Sequence, residues 1–186
     1  MKKIFFSLIF LLLAYCKLVA QTSADTLIKQ PPGYRNAISL GAYVAVEEFA
    51  KTHVAGLGLE HIWTRHRFGT DRTTYKKFTF TVRSGLRYFI GKQIKPAAYD
   101  FRYGNYFSVY SMPGILYRPV KKAFLQFNAG PELNIYENNP SAGVGVMFSS
   151  QFFISRQIAI GPGILYKKKP DTHGLWALGL GISYPL

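Results

Sequence analysis

Alternation of apolar and polar residues with a period of two is the feature that most constrains this sequence. It is clearest over residues 78–90, and it recurs over 123–136 and 174–186. In the first of these segments Phe78, Phe80, Val82, Leu86, Tyr88 and Ile90 share one face, and Thr79, Thr81, Arg83, Gly85 and Arg87 share the other. Because successive side chains of a strand point to opposite sides of a sheet, the pattern predicts β-strands with two unlike faces.

The same pattern over the whole chain predicts an all-β fold with eight strands. They cover about residues 37–47, 53–64, 78–91, 106–118, 123–136, 143–154, 158–167 and 174–186. Residues 162–167 weakly repeat the sequence of residues 113–118, and this internal echo supports a repeated unit. Short connections near 119–122 and 155–157 contrast with a long polar one over 92–105, as is typical of outer-membrane barrels.

Side-chain size indicates which face points inward. The polar faces are rich in glycine, whereas the opposite faces carry bulky residues such as Leu57, Phe127 and Leu180. The interior of an eight-stranded barrel is only wide enough for its own side chains, so small residues belong inside. We therefore predict an antiparallel up-and-down transmembrane barrel; a soluble lipocalin-like ligand-binding barrel, with its apolar face inside, is the alternative. The predicted aromatic girdles at the membrane interfaces comprise Tyr43, Trp63, Tyr88, Tyr117, Tyr136, Tyr166, Trp176 and Tyr184.

The first twenty residues have the layout of a cleaved secretory signal peptide. Lys2 and Lys3 precede an apolar run of 13 residues that ends at Cys16, and the small residue Ala20 stands at the expected cleavage point. This run is shorter than the roughly 17–25 residues of a spanning helix. Lipidation at Cys16 and an uncleaved anchor are the alternatives.

Export sets the predicted domain organisation and the mature composition. We expect a signal peptide at 1–20, an N-terminal periplasmic segment at 21–36 and the barrel at 37–186. The mature chain would carry 20 basic and 9 acidic residues, a net charge of +11. It would lack the only cysteine, which excludes disulfides, thiolate nucleophiles and cysteine-ligated metals.

Four charged residues fall on predicted inward faces: Glu60, Arg83, Arg87 and Glu132. An unpaired charge in a narrow lumen is costly, so we expect a paired structural network that fills the interior. In this network Glu132 is predicted to neutralise Arg83 or Arg87. A narrow gated path for ions or small solutes is the alternative.

Further basic residues cluster at the connections. Those predicted to contact lipopolysaccharide phosphates are Lys92, Lys95, Lys167, Lys168 and Lys169. Turns that are simply solvated are the alternative. Nucleic acid is not expected as a partner, because the chain is exported and presents a lipid-facing surface.

The histidines do not form a recognisable catalytic or metal site. His61 and His66 are five residues apart, which places them on opposite faces of a strand. Asp171 and His173 could be read as a dyad, but no serine completes a convincing catalytic set. We predict no catalytic residues, no metal site and no cofactor.

The C-terminal residues carry a resemblance to a known group of proteins. Gly181, Tyr184 and Leu186 resemble the C-terminal assembly signal of small eight-stranded outer-membrane barrels. That group includes the membrane domain of OmpA and OmpX-like proteins. The overall sequence pattern also resembles that of the porin-like barrels of Bacteroidetes.

The resemblance implies a location, a set of partners and a role. It implies insertion into the outer membrane of a Gram-negative bacterium by the barrel-assembly machinery, among lipids that include lipopolysaccharide. The expected role is structural or surface-interactive. Because small membrane barrels include lipid A-modifying enzymes, that activity is the alternative.

Overall fold

The strands lie where the alternation predicts them. The computed structural model describes residues 34–68, 77–94, 101–120, 122–137, 139–155, 158–168 and 174–186. The elements in chain order are β1 (Tyr34–Val46), α1 (Glu47–Thr52), β2 (His53–Phe68), β3 (Phe78–Gly91), β4 (Gln93–Ile94), β5 (Phe101–Arg102), β6 (Tyr106–Val120), β7 (Ala123–Tyr136), β8 (Asn139–Phe153), β9 (Ala159–Lys168) and β10 (Leu175–Pro185). The predicted signal peptide and the following segment up to residue 33 lie outside these ranges.

Eight of the strands form one closed barrel. Their order is β1-β10-β9-β8-β7-β6-β3-β2, and β1 pairs antiparallel with both β2 and β10. The β1–β10 seam runs in continuous register from Ala37↔Pro185 to Val46↔Trp176. Closure removes the unpaired sheet edges, which suits a barrel surrounded by hydrocarbon. The predicted all-β, eight-stranded, antiparallel up-and-down barrel is confirmed.

The barrel has two distinguishable ends. One end carries α1 and the β3–β6, β7–β8 and β9–β10 connections, and we call it the α1 end. The terminal end carries the first residues of β1, the last of β10 and the other three connections. At the α1 end, β4 and β5 form a separate two-stranded sheet within the longest connection. No helix in the described ranges has the length and apolar character needed to cross a bilayer.

The polar faces point into the barrel and the apolar faces point out. Glu60 is 2% exposed and Arg87 is 0% exposed, whereas Leu57 is 69% exposed. Glycines lie on the inner wall as predicted, and a Cβ at Gly161 would collide with the Ser150 carbonyl. A soluble ligand-binding barrel requires the reverse arrangement, with bulky apolar side chains in the core.

The aromatic residues divide between the two sides of the wall. Trp63 and Phe80 form an outward pair towards the terminal end, with ring centroids 6.3 Å apart. Tyr166 and Trp176 form another at the α1 end, 4.6 Å apart. The girdle prediction is wrong for Tyr43, which is 3% exposed inside the lumen, because it shares the inward parity of the strand's small residues. Tyr136 also packs at the inner mouth, with its ring 5.9 Å from that of His53.

The internal echo runs in opposite directions in its two strands. Residues 113–118 lie in β6 and run towards the terminal end, whereas residues 162–167 lie in β9 and run towards the α1 end. In each copy a leucine points inward, Leu116 in one and Leu165 in the other. The basic residue two positions later also points inward. The cation is Arg118 in β6, at 5% exposure, and Lys167 in β9, at 2%. The echo therefore places one inward cation towards each end of the lumen.

Candidate functional site

The centre of the lumen is occupied by an ion-paired cluster around Glu60. Glu60 comes from β2, and its Oε2 lies 2.7 Å from Nε of Arg83 in β3. Its Oε1 lies 3.3 Å from a terminal guanidinium nitrogen of Arg87, four residues along the same strand. The hydroxyls of Tyr43 and Tyr110 each donate a hydrogen bond to Oε1 at 2.6 Å. One carboxylate on β2 thus holds two arginines and two tyrosines from three other strands.

The two guanidinium groups tie this Glu60 cluster to the far wall of the barrel. Arg83 donates to Oγ of Ser149 in β8 at 3.1 Å. The Arg87 guanidinium lies 3.7 Å from the centroid of the Tyr110 ring, a cation–π distance, and it also contacts the Met147 sulfur at 3.1 Å. These contacts span the lumen from β2 and β3 to β8, so the cluster both fills the interior and crosslinks it.

Glu132 belongs to a second ion pair, nearer the α1 end. Its Oε1 lies 2.5 Å from Nζ of Lys167 in β9. Lys167 also donates to Oγ of Ser108 at 3.0 Å, and its ammonium lies 4.6 Å from the centroid of the Tyr106 ring. Tyr106 in turn donates a hydrogen bond to the side-chain carbonyl of Asn134.

This pair corrects two expectations from the sequence. Glu132 was expected to neutralise Arg83 or Arg87, but both arginines contact Glu60 instead. Lys167 was expected to reach lipopolysaccharide, and that prediction is wrong because the side chain is buried on the inner wall. Its position was detectable: residues 163, 165 and 167 share one parity, and β9 continues to residue 168.

The α1 end of the lumen is closed by an aromatic layer that the sequence did not indicate. α1 turns inward and buries Phe49, which is 1% exposed. The Phe49 ring lies 4.6 Å from that of His53, 4.9 Å from that of Phe89 and 5.8 Å from that of Tyr106. Glu47 has a φ of 53°, which lets the chain leave β1 and turn over the mouth. We call α1 with this aromatic layer the α1 cap.

The terminal end is closed by a second apolar layer. Its buried members come from five strands and are Ala37, Ile62, Leu116, Phe124 and Ala159. Phe153 packs against them, 5.7 Å from the Phe124 ring. Between this layer and the Glu60 cluster, Gln126 donates to Thr81 at 3.2 Å and Asn128 donates to the Met112 carbonyl at 3.0 Å.

The free space beside the Glu60 cluster is small. A cavity of about 10 Å³ is lined by Tyr43, Glu60, Arg83 and Gln151 together with inner-wall glycines. That volume suits about one water molecule. With apolar layers above and below it, the described lumen is a packed interior.

The outer wall carries one row of polar side chains across three neighbouring strands. His61 is in register with Ser84, and Ser84 is in register with Ser111. The two serine hydroxyls lie 3.0 Å apart. We call these three residues the outer polar row. The row contains no carboxylate, and nowhere in the described ranges do three or more His, Cys, Asp or Glu come together as a possible metal site.

The remaining candidate residues lie at the ends of the barrel or outside the described ranges. Lys92 and Lys168 are exposed at the α1 end. In β10, Gly181 lies on the inner wall and Tyr184 is about half exposed on the outer wall, and Leu186, just after the strand, is also about half exposed. Lys95, Lys169, Asp171 and His173 fall outside the described residues.

Comparison with known proteins shows the fold. No protein-family model and no curated protein sequence matches the chain. The outer membrane enzyme PagL superposes with a TM-score of 0.56 at 11% identity, over 81% of this chain and 99% of that one. Ail of Yersinia pestis, the attachment invasion locus protein, solved with the heparin analogue sucrose octasulfate, gives 0.53 at 15% identity, over 82% and 100%. The chain therefore has the fold of the small eight-stranded outer-membrane barrels, a fold that serves both an enzyme and an attachment protein.

Proposed function

We propose that this chain is an outer-membrane barrel of a Gram-negative cell envelope that acts through its wall and its ends, in a structural or surface-interaction role. The observation that carries the proposal is the packed lumen. The Glu60 cluster crosses the interior, the α1 cap closes one mouth, and the apolar layer around Phe124 closes the other. A solute pore needs a continuous polar path, and this interior instead resembles a protein core.

The lengths of the connections support an orientation with the α1 end facing outward. Outer-membrane barrels have short periplasmic turns and longer extracellular loops. The longest connection, over 92–105, is at the α1 end, and β6 and β7 are joined at the terminal end by residues 121–122 alone. Two connections run against this trend: residues 69–77 at the terminal end and residues 137–138 at the α1 end. The terminal end would then face the periplasm.

Heat-dependent gel mobility and planar-bilayer recording test the proposal together. The unheated, folded protein should migrate differently from the boiled protein, and the folded protein should give no steady conductance. The matched control replaces Glu60, Arg83 and Arg87 with alanine together with Phe49 and Phe124, which removes the plug and opens both apolar layers, and it should produce conductance. A wild-type protein that conducts as well as this control would contradict the packed lumen.

Lipopolysaccharide is proposed as a partner of the α1 end. Lys92 and Lys168 are exposed there, and Arg102 of β5 adds a third exposed cation. That Ail was solved with a polysulfated ligand supports the idea that a barrel of this fold can present a polyanion site. We expect Lys92→Gln with Lys168→Gln to lower the lipopolysaccharide that co-purifies, whereas Lys77→Gln with Lys122→Gln at the terminal end should not. Equal lipopolysaccharide in both double variants would contradict it.

The last strand is proposed to carry the signal read by the barrel-assembly machinery. Gly181 and Tyr184 lie on β10, which forms the closing seam with β1, and the N–H of Leu186, just after the strand, donates to the Asn36 carbonyl at 2.8 Å. Tyr184→Ala with Leu186→Ala should reduce the folded fraction in cells, measured by heat-dependent mobility. A matched outer-wall control is Leu133→Ala on β7. An equal folded fraction in both would remove the assignment.

A lipid-modifying enzyme is the second candidate, because the outer polar row places a serine opposite a histidine on a lipid-facing wall. Serine and imidazole are the groups that acyl transfer uses, although the row supplies no carboxylate to orient the histidine. If the row were catalytic, Ser84→Ala would abolish any change in lipid A acylation seen by mass spectrometry on expression. Unchanged lipid A with the wild-type protein would exclude this candidate.

A further inference from the structure

The two ends of the barrel differ sharply in charge. Counted over residues 65–77, 118–122 and 154–158, the connections at the terminal end contain nine basic residues and one acidic residue. Counted over residues 47–52, 92–105, 137–138 and 168–174, those at the α1 end contain six basic and five acidic residues. The excess positive charge of the connections therefore lies at the terminal end.

Three exposed cations of the terminal end lie along consecutive strands. Arg65 is near the end of β2, Lys77 immediately precedes β3, and Lys122 joins β6 to β7. The backbone links these positions to their neighbours, because the Arg118 N–H donates to the Lys77 carbonyl at 2.7 Å and the Phe153 N–H donates to the Lys122 carbonyl at 2.8 Å. Arg65, Lys77 and Lys122 thus lie along one part of the rim, and we call them the basic arc.

The described residues give the basic arc no ion-pair partner. The described side-chain carboxylates either lie at the α1 end, as Glu47, Glu48 and Glu137 do, or are buried in the lumen. At the α1 end, by contrast, Lys51 pairs with Glu48 at 2.7 Å. Within the part of the chain that the structure describes, no acidic side chain therefore competes with an external anion for the arc.

An aromatic belt lies directly inside the basic arc. Trp63 shares the outward face of β2 with Arg65, two residues nearer the barrel centre, and it packs on Phe80. Phe78 stacks on Tyr117 at 4.6 Å beside Lys77. Aromatic rings occupy the interfacial level of a bilayer, so the cations just beyond them lie at the level of the phosphates.

We propose that the basic arc binds the phosphate groups of anionic glycerophospholipids in the periplasmic leaflet. The proposal rests on the outer-membrane function above, which places the terminal end in that leaflet. The chemistry is that of guanidinium and ammonium groups on a phosphodiester, held at a depth fixed by the aromatic belt. It gives the barrel a preferred lipid environment on one face of the membrane.

The two tryptophans make phospholipid binding at the two ends of the barrel directly measurable. Trp63 reports from the terminal end and Trp176 from the α1 end, and the chain has no third tryptophan. Trp176→Phe and Trp63→Phe isolate each signal in vesicles that contain brominated phosphatidylglycerol or brominated phosphatidylcholine. We expect Trp63 quenching to show roughly a threefold preference for phosphatidylglycerol that falls with added salt. Quenching of Trp176 should be about equal with brominated phosphatidylglycerol and brominated phosphatidylcholine.

Charge removal supplies the matched control. Arg65→Gln, Lys77→Gln and Lys122→Gln together should abolish the preference at Trp63. Lys51→Gln, Lys92→Gln and Arg102→Gln remove the same number of cations from the α1 end and should leave it intact. Equal preference at both tryptophans, or a preference that survives loss of the arc, would overturn the proposal. Heat-dependent mobility of the same samples shows separately whether the barrel has inserted, so failure of the outer-membrane function is distinguishable.

Cysteine labelling in cells tests which leaflet the arc meets. The natural cysteine, Cys16, lies in the predicted signal peptide. A membrane-impermeant maleimide should label Glu48→Cys in intact cells, but label Lys122→Cys only after the outer membrane is permeabilised. Labelling of Lys122→Cys in intact cells would place the arc against the lipopolysaccharide leaflet and overturn the assignment to phospholipid.

Discussion

The two buried carboxylates of the lumen, Glu60 and Glu132, are equally inaccessible but differently surrounded. Each is 2% exposed. Glu60 is shared by two arginines and two tyrosine hydroxyls, whereas Glu132 forms its ion pair with Lys167. Removing the carboxylate of Glu60 leaves two buried arginines without a counter-ion, whereas removing that of Glu132 leaves one lysine. Losing the carboxylate should therefore cost far more at the Glu60 cluster than at the Glu132 pair.

The largest effect is expected from Glu60→Gln. The substitution keeps the shape of the side chain but leaves Arg83 and Arg87 as buried cations without a carboxylate. Removing one partner of a buried ion pair typically costs about 3–5 kcal/mol. The free energy of unfolding in urea, followed by tryptophan fluorescence of the barrel refolded into vesicles, should fall by about that amount. A midpoint equal to that of the wild type would show that the cluster does not hold the barrel.

Glu132→Gln should cost less, about 2 kcal/mol, because it leaves one cation rather than two without a counter-ion, and Lys167 keeps its Ser108 and Tyr106 contacts. The same urea titration measures it. Replacing both partners, Glu132→Gln with Lys167→Met, should recover most of the loss, since no charge then remains unpaired at this site. If Glu132→Gln were as damaging as Glu60→Gln, the proposed difference between the clusters would be wrong.

Phe49→Ala should expose the Glu132 pair to water more than the Glu60 cluster. Phe49 packs on Phe89 and Tyr106, whose rings also face Lys167, so its removal exposes the Glu132 pair first. We expect a loss of about 2 kcal/mol, below the usual range for a core phenylalanine because α1 can partly collapse. Hydrogen exchange should rise in β9 around residue 167 more than in β3 around residue 83. Equal increases at both would show that the α1 cap protects the whole lumen.

The smallest effect is expected on the outer wall. Ser111→Val places an apolar side chain where lipid is the neighbour and removes the hydroxyl contact with Ser84. The free energy of unfolding should change by less than about 1 kcal/mol, and in either direction, since a weak hydrogen bond is exchanged for a better lipid contact. Gln126→Val is the inward control and should be clearly destabilising, because it leaves Thr81 without its buried donor. A large loss for Ser111→Val would indicate that the outer polar row is covered by something other than lipid.

Much of the barrel was predictable because strand parity is a local property. Arg83 and Arg87 are four residues apart, so they had to share a face, and the glycines on that face indicated that it was the inner one. Parity also predicts the inward positions of Tyr43 and Lys167. For both residues, parity is a better guide than nearness to a strand end or membership of a lysine run.

Pairing between strands was less predictable because it depends on register around the whole barrel. Whether Glu132 meets an arginine from β3 or Lys167 from β9 is decided by the relative heights of residues far apart in sequence. The α1 cap was not predictable at all, since six residues give no usable periodicity and the burial of Phe49 follows from rings contributed by β2, β3 and β6.

The oppositely directed echo has an electrostatic consequence for leakage. Arg118 faces inward towards one mouth, and Lys167, which is paired with Glu132, faces inward towards the other. Over the described lumen, the buried cations Arg83, Arg87, Arg118 and Lys167 outnumber the buried carboxylates Glu60 and Glu132. A positive potential in a low-dielectric channel repels cations over several ångströms. Any brief opening of the two apolar layers would therefore admit anions in preference to cations.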